Sequence, residues 1–272
     1  MDIVFFGSSP FSVVVLQKLL DAGRYALTAV VTTPDKPVGR HLKLTPNPVK
    51  VLAQKNNIPV YDSITPLPPL NLRGGGPQDE GDIGLVAAYG QIIKPEVLDQ
   101  FHGQIYNIHP SLLPKYRGSS PLQQQILDGV TDTGVTIIQL DAQMDHGPIV
   151  AAAHDKILPD DTTVTLGNRL FEKGAELFIT QYSVFSIQKK EQDHSQATYT
   201  KKLTRQDGFL LWEEFQNLIN SKSHQYEAHD LGRMFRAYFP WPGVWTVDPQ
   251  RKRVKLMSLS PLVIRQQNSQ KI

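Results

Sequence analysis

Ile3 to Thr33 reads IVFFGSSPFSVVVLQKLLDAGRYALTAVVTT, and this stretch decides the fold. Ile3 to Gly7 is a short apolar run closed by Gly7-Ser8-Ser9-Pro10, the pattern of a buried strand ending in a turn. From Phe11 to Leu20, the residues Val13, Leu16, Leu19 and Leu20 recur at helical spacing. Pro10 stands where a helix tolerates proline, at its first residue, because the N–H that proline lacks has no helical partner there. Leu27 to Thr33 is a second run, rich in β-branched residues that suit a strand. Both strands are continuous apolar runs rather than alternating ones, which implies that both faces of their sheet are covered.

The same alternation continues downstream. Pro34 to Pro37 reads as a turn into a polar loop with Gly39 and Arg40, followed by a helix over Pro48 to Asn56 and a short strand over Pro59 to Tyr61. Thr65 to Gly81, with Gly74-Gly75-Gly76 at its centre, is too rich in Pro and Gly for a helix and reads as a mobile surface loop. Strands follow at Ile83 to Tyr89, Gln104 to His109, Gly134 to Leu140 and Ile149 to Ala153. Helical segments at Pro95 to Phe101, Pro121 to Leu127 and Thr162 to Gln181 stand between or after them. This predicts a doubly wound α/β domain over residues 1–202, built on a mostly parallel sheet. Its ligands belong at the carboxyl ends of the strands, near a topological switch point.

Beyond Lys202 the alternation stops, and residues 203–272 are expected to form a small, β-rich, barrel-like C-terminal domain. A polar stretch containing Trp212 and a helix through Leu231 to Tyr238 lead into Phe239-Pro240-Trp241-Pro242-Gly243. Trp241, between two prolines, is expected to pack in the core. Val244 to Val247 and Arg253 to Leu259 are strand-like, and the last dozen residues are polar and expected to fray.

Composition removes several function classes. The formal net charge of +2 gives no bulk attraction to nucleic acid or membrane, so any nucleic-acid contact must be local. With no cysteine there can be no disulfide, thiolate catalysis or Cys-ligated zinc. No apolar run approaches the ~18 residues that span a bilayer. Met1-Asp2 leads into the first strand without a basic segment, so no signal peptide is expected and a cytoplasmic protein is. The turn after the first strand has one glycine, Gly7, where a dinucleotide-binding fingerprint needs three, and no P-loop pattern occurs.

The chemistry-bearing stretch is Asn107-Ile108-His109-Pro110-Ser111-Leu112-Leu113-Pro114. Residues two apart on a strand share a face, so Asn107 and His109 point into one site. An amide that donates, beside an imidazole that accepts a proton, suits acyl transfer to an amine. The second stretch is Leu140-Asp141-Ala142-Gln143-Met144-Asp145-His146-Gly147-Pro148, at the end of the following strand. A carboxylate there can hold the imidazole in one tautomer and stabilise its charged form, and spacing leaves both Asp141 and Asp145 open for that part. His146 invites a metal site with His109 and Asp145, but nothing else in the chain has ligand spacing.

The run NIHPSLLPKYRG, the strand TGVTIIQLD and the loop MDHGPI together resemble the folate-dependent formyltransferases. The resemblance covers nearly the whole chain and implies a Rossmann-like formyltransferase fold. It implies that Asn107, His109 and Asp145 are catalytic, and so selects Asp145 over Asp141. It implies 10-formyltetrahydrofolate as formyl donor, held by Ala87, Tyr89, Gly90, Gln91 and Ile92, by Ser111, Leu112, Leu113 and Pro114, and by Asp141, without a metal. Val31 to Ala53 is similar to the members that formylate methionyl-initiator tRNA, whose loop here inserts toward the acceptor end. Arg40, with Lys36 and Lys43, would then meet phosphates. Ala237 to Trp245 (AYFPWPGVW) resembles the junction of their C-terminal domain. Two departures stand out: the Gly-rich loop around Gly74 replaces a helical connection, and the chain ends where the family's C-terminal barrel is about half complete. The alternative acceptor is an amino-sugar nucleotide; no protein partner or membrane is implied.

Overall fold

The computed structural model describes residues 2–38, 42–62, 82–185, 188–220, 227–259 and 262–267. In chain order the first elements are β1 (Asp2–Phe6), α1 (Pro10–Ala22), β2 (Ala26–Val31), β3 (Lys36–Val38), β4 (Lys43–Thr45), α2 (Pro48–Lys55), β5 (Val60–Tyr61), β6 (Ile83–Ala87) and α3 (Pro95–Gln100). They are followed by β7 (Ile105–His109), β8 (Arg117–Gly118), α4 (Pro121–Asp128), β9 (Asp132–Gln139), β10 (Ile149–Lys156) and α5 (Thr163–Gln181). The last are β11 (Tyr199–Thr200), α6 (Trp212–Asn220), α7 (Glu227–Tyr238), β12 (Trp245–Val247), β13 (Arg253–Leu259) and β14 (Leu262–Gln267).

The opening turn forms as its residues dictate. Ser9 caps α1 by accepting from the N–H groups of Phe11 and Ser12, and the Ser12 hydroxyl accepts in return from the N–H of Ser9. These bonds satisfy donors that the first turn of a helix leaves without partners. The central sheet has the order β10-β9-β7-β6-β1-β2-β5. β1, β2, β5, β6 and β7 are paired in parallel. The chain first builds from β1 toward β5 and then crosses to β6 on the other side, so the switch point lies between β1 and β6.

One strand departs from the parallel pattern. β9 runs antiparallel to β7, pairing Tyr106 with Gln139 and His109 with Thr136. A strand buried on both faces reads the same in either direction, so its pattern carries no polarity. The consequence is that residues 140–148 leave the sheet beside the start of β7, not beside its carboxyl end.

Two compact units make up the chain. The first comprises residues 1–117, 134–155 and 168–199; the second comprises 118–133, 156–167 and 200–272. The second unit therefore takes in two earlier excursions besides the segment that follows the sequence boundary. In the first unit, Val4 and Phe6 of β1 pack with Val86, Tyr89, Val97, Phe101 and Ile105, which brings α3 onto the face of β7 that carries Ile105. The opposite face holds Tyr106 against Tyr182 and Phe185, and α5 at Gly174 comes so close that a Cβ there would lie 2.5 Å from Ile108. Ile105, Asn107 and His109 thus share the α3 face. The core of the second unit is Phe215, Leu231, Val244, Val254 and Leu256. No described helix is long and apolar enough to cross a membrane.

Four local expectations change. The polar loop after Pro34 contains an antiparallel hairpin, β3 to β4, with Lys36 opposite Thr45 and Lys43 opposite Val38. The polar stretch at Trp212 is helical (α6): Phe215 is fully buried, Trp212 packs half-buried beside it, and Glu213, Glu214, Gln216 and Asn217 face solvent. Part of the tail expected to fray forms β14, which pairs with β13 from Arg253↔Gln267 to Leu259↔Leu262. Backbone pairing needs no apolar pattern, so the polar residues hid it. Trp241 is 52% exposed instead of packed, since the buried Tyr238 and Val244 anchor the two ends of the turn and its tip projects outward. Arg40 and the Gly-rich segment from Thr65 to Gly81 lie outside the described residues.

Candidate functional site

His109 closes β7, and Asn107 lies two residues earlier on the same face. The loop after β9 runs back along β7: the N–H of Leu140 donates to the carbonyl of Ile105, and five residues later the Asp145 side chain reaches Asn107 and His109. One oxygen, Asp145 Oδ1, faces both groups: it accepts from Asn107 Nδ2 at 3.4 Å and lies 3.6 Å from His109 Nδ1. The His109 and Asp145 side chains keep only 4% and 11% of their surface in solvent, so the pair interacts where water screens weakly. Asp145 holds φ at +50°, a conformation that side-chain-bearing residues adopt at a cost.

His109 Nε2 lies 3.0 Å from the carbonyl oxygen of Tyr116. A carbonyl can only accept, so Nε2 carries the hydrogen and Nδ1 is the nitrogen free to take up a proton. The tautomer is therefore set by the Tyr116 backbone and not by the carboxylate, which is left to stabilise the charged imidazole. Thr136 holds the turn after His109 in place, its hydroxyl donating to the carbonyl of Ser111 and accepting from the N–H of Leu113.

Asp141 faces elsewhere. Its Oδ2 lies 2.7 Å from His146 Nδ1, and its Oδ1 accepts from the N–H of Gln143. His146, the sequence's other imidazole in this loop, stacks on His194 with ring centroids 4.0 Å apart. It does not join His109, and no group of three or more metal-ligating side chains occurs among the described residues.

The residues expected to hold folate divide by exposure. Ala87 and Tyr89 are buried, while Gly90, Gln91 and Ile92 are exposed, Ile92 at 78%. The Ser8 and Ser12 hydroxyls donate to the carbonyls of Tyr89 and Ala87, which ties this segment to the start of α1 at the switch point. Burial pushes the Tyr89 phenol up, so it stays a neutral donor to Gln91. Ser111 and Leu113 are buried, with the Ser111 hydroxyl spent on the carbonyl of Lys115; Leu112 and Pro114 are half-buried. Asp141 lines a cleft of about 460 Å³ with Pro95, Leu98, Asp99, His102, Leu140 and Ala142. Lys36 and Lys43 are exposed on the β3–β4 hairpin, beside the exposed Leu42 and Leu44.

Three groups that support the site were not singled out in the sequence: the carbonyl of Tyr116, which meets His109, Gln192, which meets the Asp145 backbone, and Arg117, which meets Gln192. Arg117 sits inside the NIHPSLLPKYRG run, which was the available signal. Gln192 lies 47 residues beyond Asp145, and no local pattern marks it.

A family model described as formyl transferase matches residues 1–182. A methionyl-tRNA formyltransferase from Chloroflexus aggregans is 42% identical over 252 residues, covering 90% of this chain and 76% of that one. Another, from Roseiflexus sp., is 40% identical over 255 residues, covering 91% and 73%. A solved 4-N formyltransferase from Francisella tularensis superposes with a TM-score of 0.64 at 14% identity, over 100% of this chain and 98% of that one, a likeness of fold.

Proposed function

The chain belongs to the formyl transferase family, and on that premise we propose that it transfers a formyl group from 10-formyltetrahydrofolate to the amino group of methionyl-initiator tRNA. It does so in the cytoplasm, at the start of protein synthesis, with residues 1–202 as its catalytic domain. The observation that carries the reading is the convergence of Asn107 Nδ2 and His109 Nδ1 on Asp145 Oδ1.

Folate supplies the activated one-carbon unit. Asn107 turns one N–H to Asp145, and its second N–H donates to the formyl oxygen as negative charge develops there. His109 Nδ1 takes the proton that the attacking amine sheds, and Asp145 provides the counter-charge to the resulting imidazolium. His109 then passes the proton to the leaving folate nitrogen, so the enzyme ends as it began. The residues present fit the donor. A pterin ring needs an apolar slot edged by hydrogen-bonding groups; the open cleft at Leu98, Leu140 and Asp141 offers such groups, and of the residues expected to hold folate only Asp141 lines it. Arg40, Lys36 and Lys43 serve the tRNA, as local cations on a chain with little net charge.

The test supplies 10-formyltetrahydrofolate and compares charged initiator tRNA with amino-sugar nucleotides. Formylmethionine on the tRNA is the expected product. Formyl transfer to the sugar amine alone would overturn the assignment of the acceptor.

A further inference from the structure

Gln192 is 5% exposed and Arg117 1%, yet neither touches the reacting atoms in the reading above. The Gln192 amide bridges them to the loop. Its Nε2 donates to two carbonyls, Asp145 at 3.0 Å and Gly147 at 2.7 Å. Its Oε1 accepts from Arg117, from Nη2 at 2.7 Å and Nε at 3.3 Å. The orientation of this amide is chemically determined, because a guanidinium only donates and carbonyls only accept. A flipped amide would face each partner with the wrong group. Arg117 is itself fixed by further bonds to His194 Nδ1 at 2.8 Å and the Tyr199 hydroxyl at 3.3 Å.

On its other side the loop is pressed against β9, where a Cβ on Gly147 would come within 1.9 Å of the Gln139 carbonyl oxygen. The loop is thus clamped between a strand and one side-chain amide. The clamp falls on Asp145, which holds its unfavourable φ of +50° within a short loop. Asp enters the left-handed region more readily than most side chains, so the clamp's part is to select this conformation over the negative-φ alternatives that would turn the carboxylate away from His109.

We propose that Gln192, oriented by Arg117, is a positioning residue of the formyl-transfer reaction: it holds Asp145 in the left-handed conformation that aims Oδ1 at Asn107 and His109. This rests on the reading of Asp145 as catalytic. Gln192 acts only through Asp145, so it governs turnover and not the binding of either substrate.

Gln192→Glu keeps the side-chain shape and the partner for Arg117 but removes the donor to the two carbonyls. With saturating 10-formyltetrahydrofolate and charged initiator tRNA, kcat should fall by roughly 10²-fold, as ångström-scale misplacement does, with both KM values retained. The melting temperature should fall, since the two carbonyls lose their donor, but the protein should stay folded at the assay temperature. Combined with Asp145→Asn, it should add nothing to the loss from Asp145→Asn alone, whereas a merely structural role would add. A crystal structure of Gln192→Met should show Asp145 out of the left-handed region and farther from His109, whatever the acceptor. Normal turnover in folded Gln192→Glu, additive losses, or an unmoved Asp145 in Gln192→Met would overturn the inference and leave the proposed function standing. If neither variant folds, Gln192 is a residue of the fold and the inference is withdrawn. Normal turnover in Asp145→Asn would refute the catalytic reading itself, and the positioning role would fall with it.

Discussion

Gly147→Ala places one methyl group where the site has no room. A Cβ there would lie 1.9 Å from the backbone oxygen of Gln139, while real Cβ contacts essentially never fall below 3.0 Å, so something must move by at least about 1.1 Å. The strand resists: Gln139 is paired with Tyr106 of β7, and its side chain donates to the Gly103 carbonyl. The loop must yield, and Asp145 is two residues away. With Asp145 moved by that amount, the hydrogen bond from Asn107 would lengthen from 3.4 Å to about 4.5 Å, beyond hydrogen-bonding reach, and the 3.6 Å approach to His109 would open to about 4.7 Å. A displacement of this size costs roughly 10²-fold in turnover, and the overpacking costs about 1–3 kcal/mol in stability. The assay is steady-state formyl transfer to charged initiator tRNA, with melting followed by circular dichroism. Gly232→Ala is the control, for its Cβ meets nothing within 4 Å among the described residues, and it should be about 0.5–1 kcal/mol more stable at unchanged turnover. A kcat for Gly147→Ala within threefold of the parent, in a folded protein, would refute the reasoning.

His109→Ala should lower turnover by ~10²–10⁴ with folate affinity intact by equilibrium titration; near-normal turnover would remove it from the reaction. Asn107→Ala should lose ~10²–10³, and adding Asp145→Asn should make it little worse than the poorer single variant, since the groups act as a unit. Arg40→Ala should weaken use of charged tRNA and flatten its salt dependence while sparing folate, and identical salt curves for kcat/KM would mean that the loop does not meet tRNA. The Lys201 ammonium and the Thr204 backbone and hydroxyl hold the Asp207 carboxyl down at about 2, below its ordinary 3.8. A depressed carboxylate stabilises the fold above its unfolded value and loses that contribution as pH falls through the folded one. Asp207→Asn should therefore melt below the parent at pH 5 and converge with it near pH 2; a constant gap across that range would contradict the linkage.

That Asn107 and His109 share a face was legible because strand geometry forces residues two apart onto one face, and that rule needs no knowledge of the rest of the chain. The same is true of α1, whose cap, proline and apolar spacing are all local. Asp145 was legible as one of two carboxylates, but choosing it over Asp141 required a resemblance. In the structure the loop's path separates them, turning Asp145 to His109 and Asp141 to His146. The direction of β9 left no trace in its residues, since a strand buried on both faces reads alike either way. Trp241 misled for a related reason: its neighbours decide which end of a turn is anchored, and an apolar side chain does not choose its own burial. The Tyr116 carbonyl that sets the His109 tautomer is a backbone atom, with no signature in sequence. Gln192 meets Arg117 from 75 positions away and Asp145 from 47, and contacts at such separations exist only once the sheet has brought distant segments together.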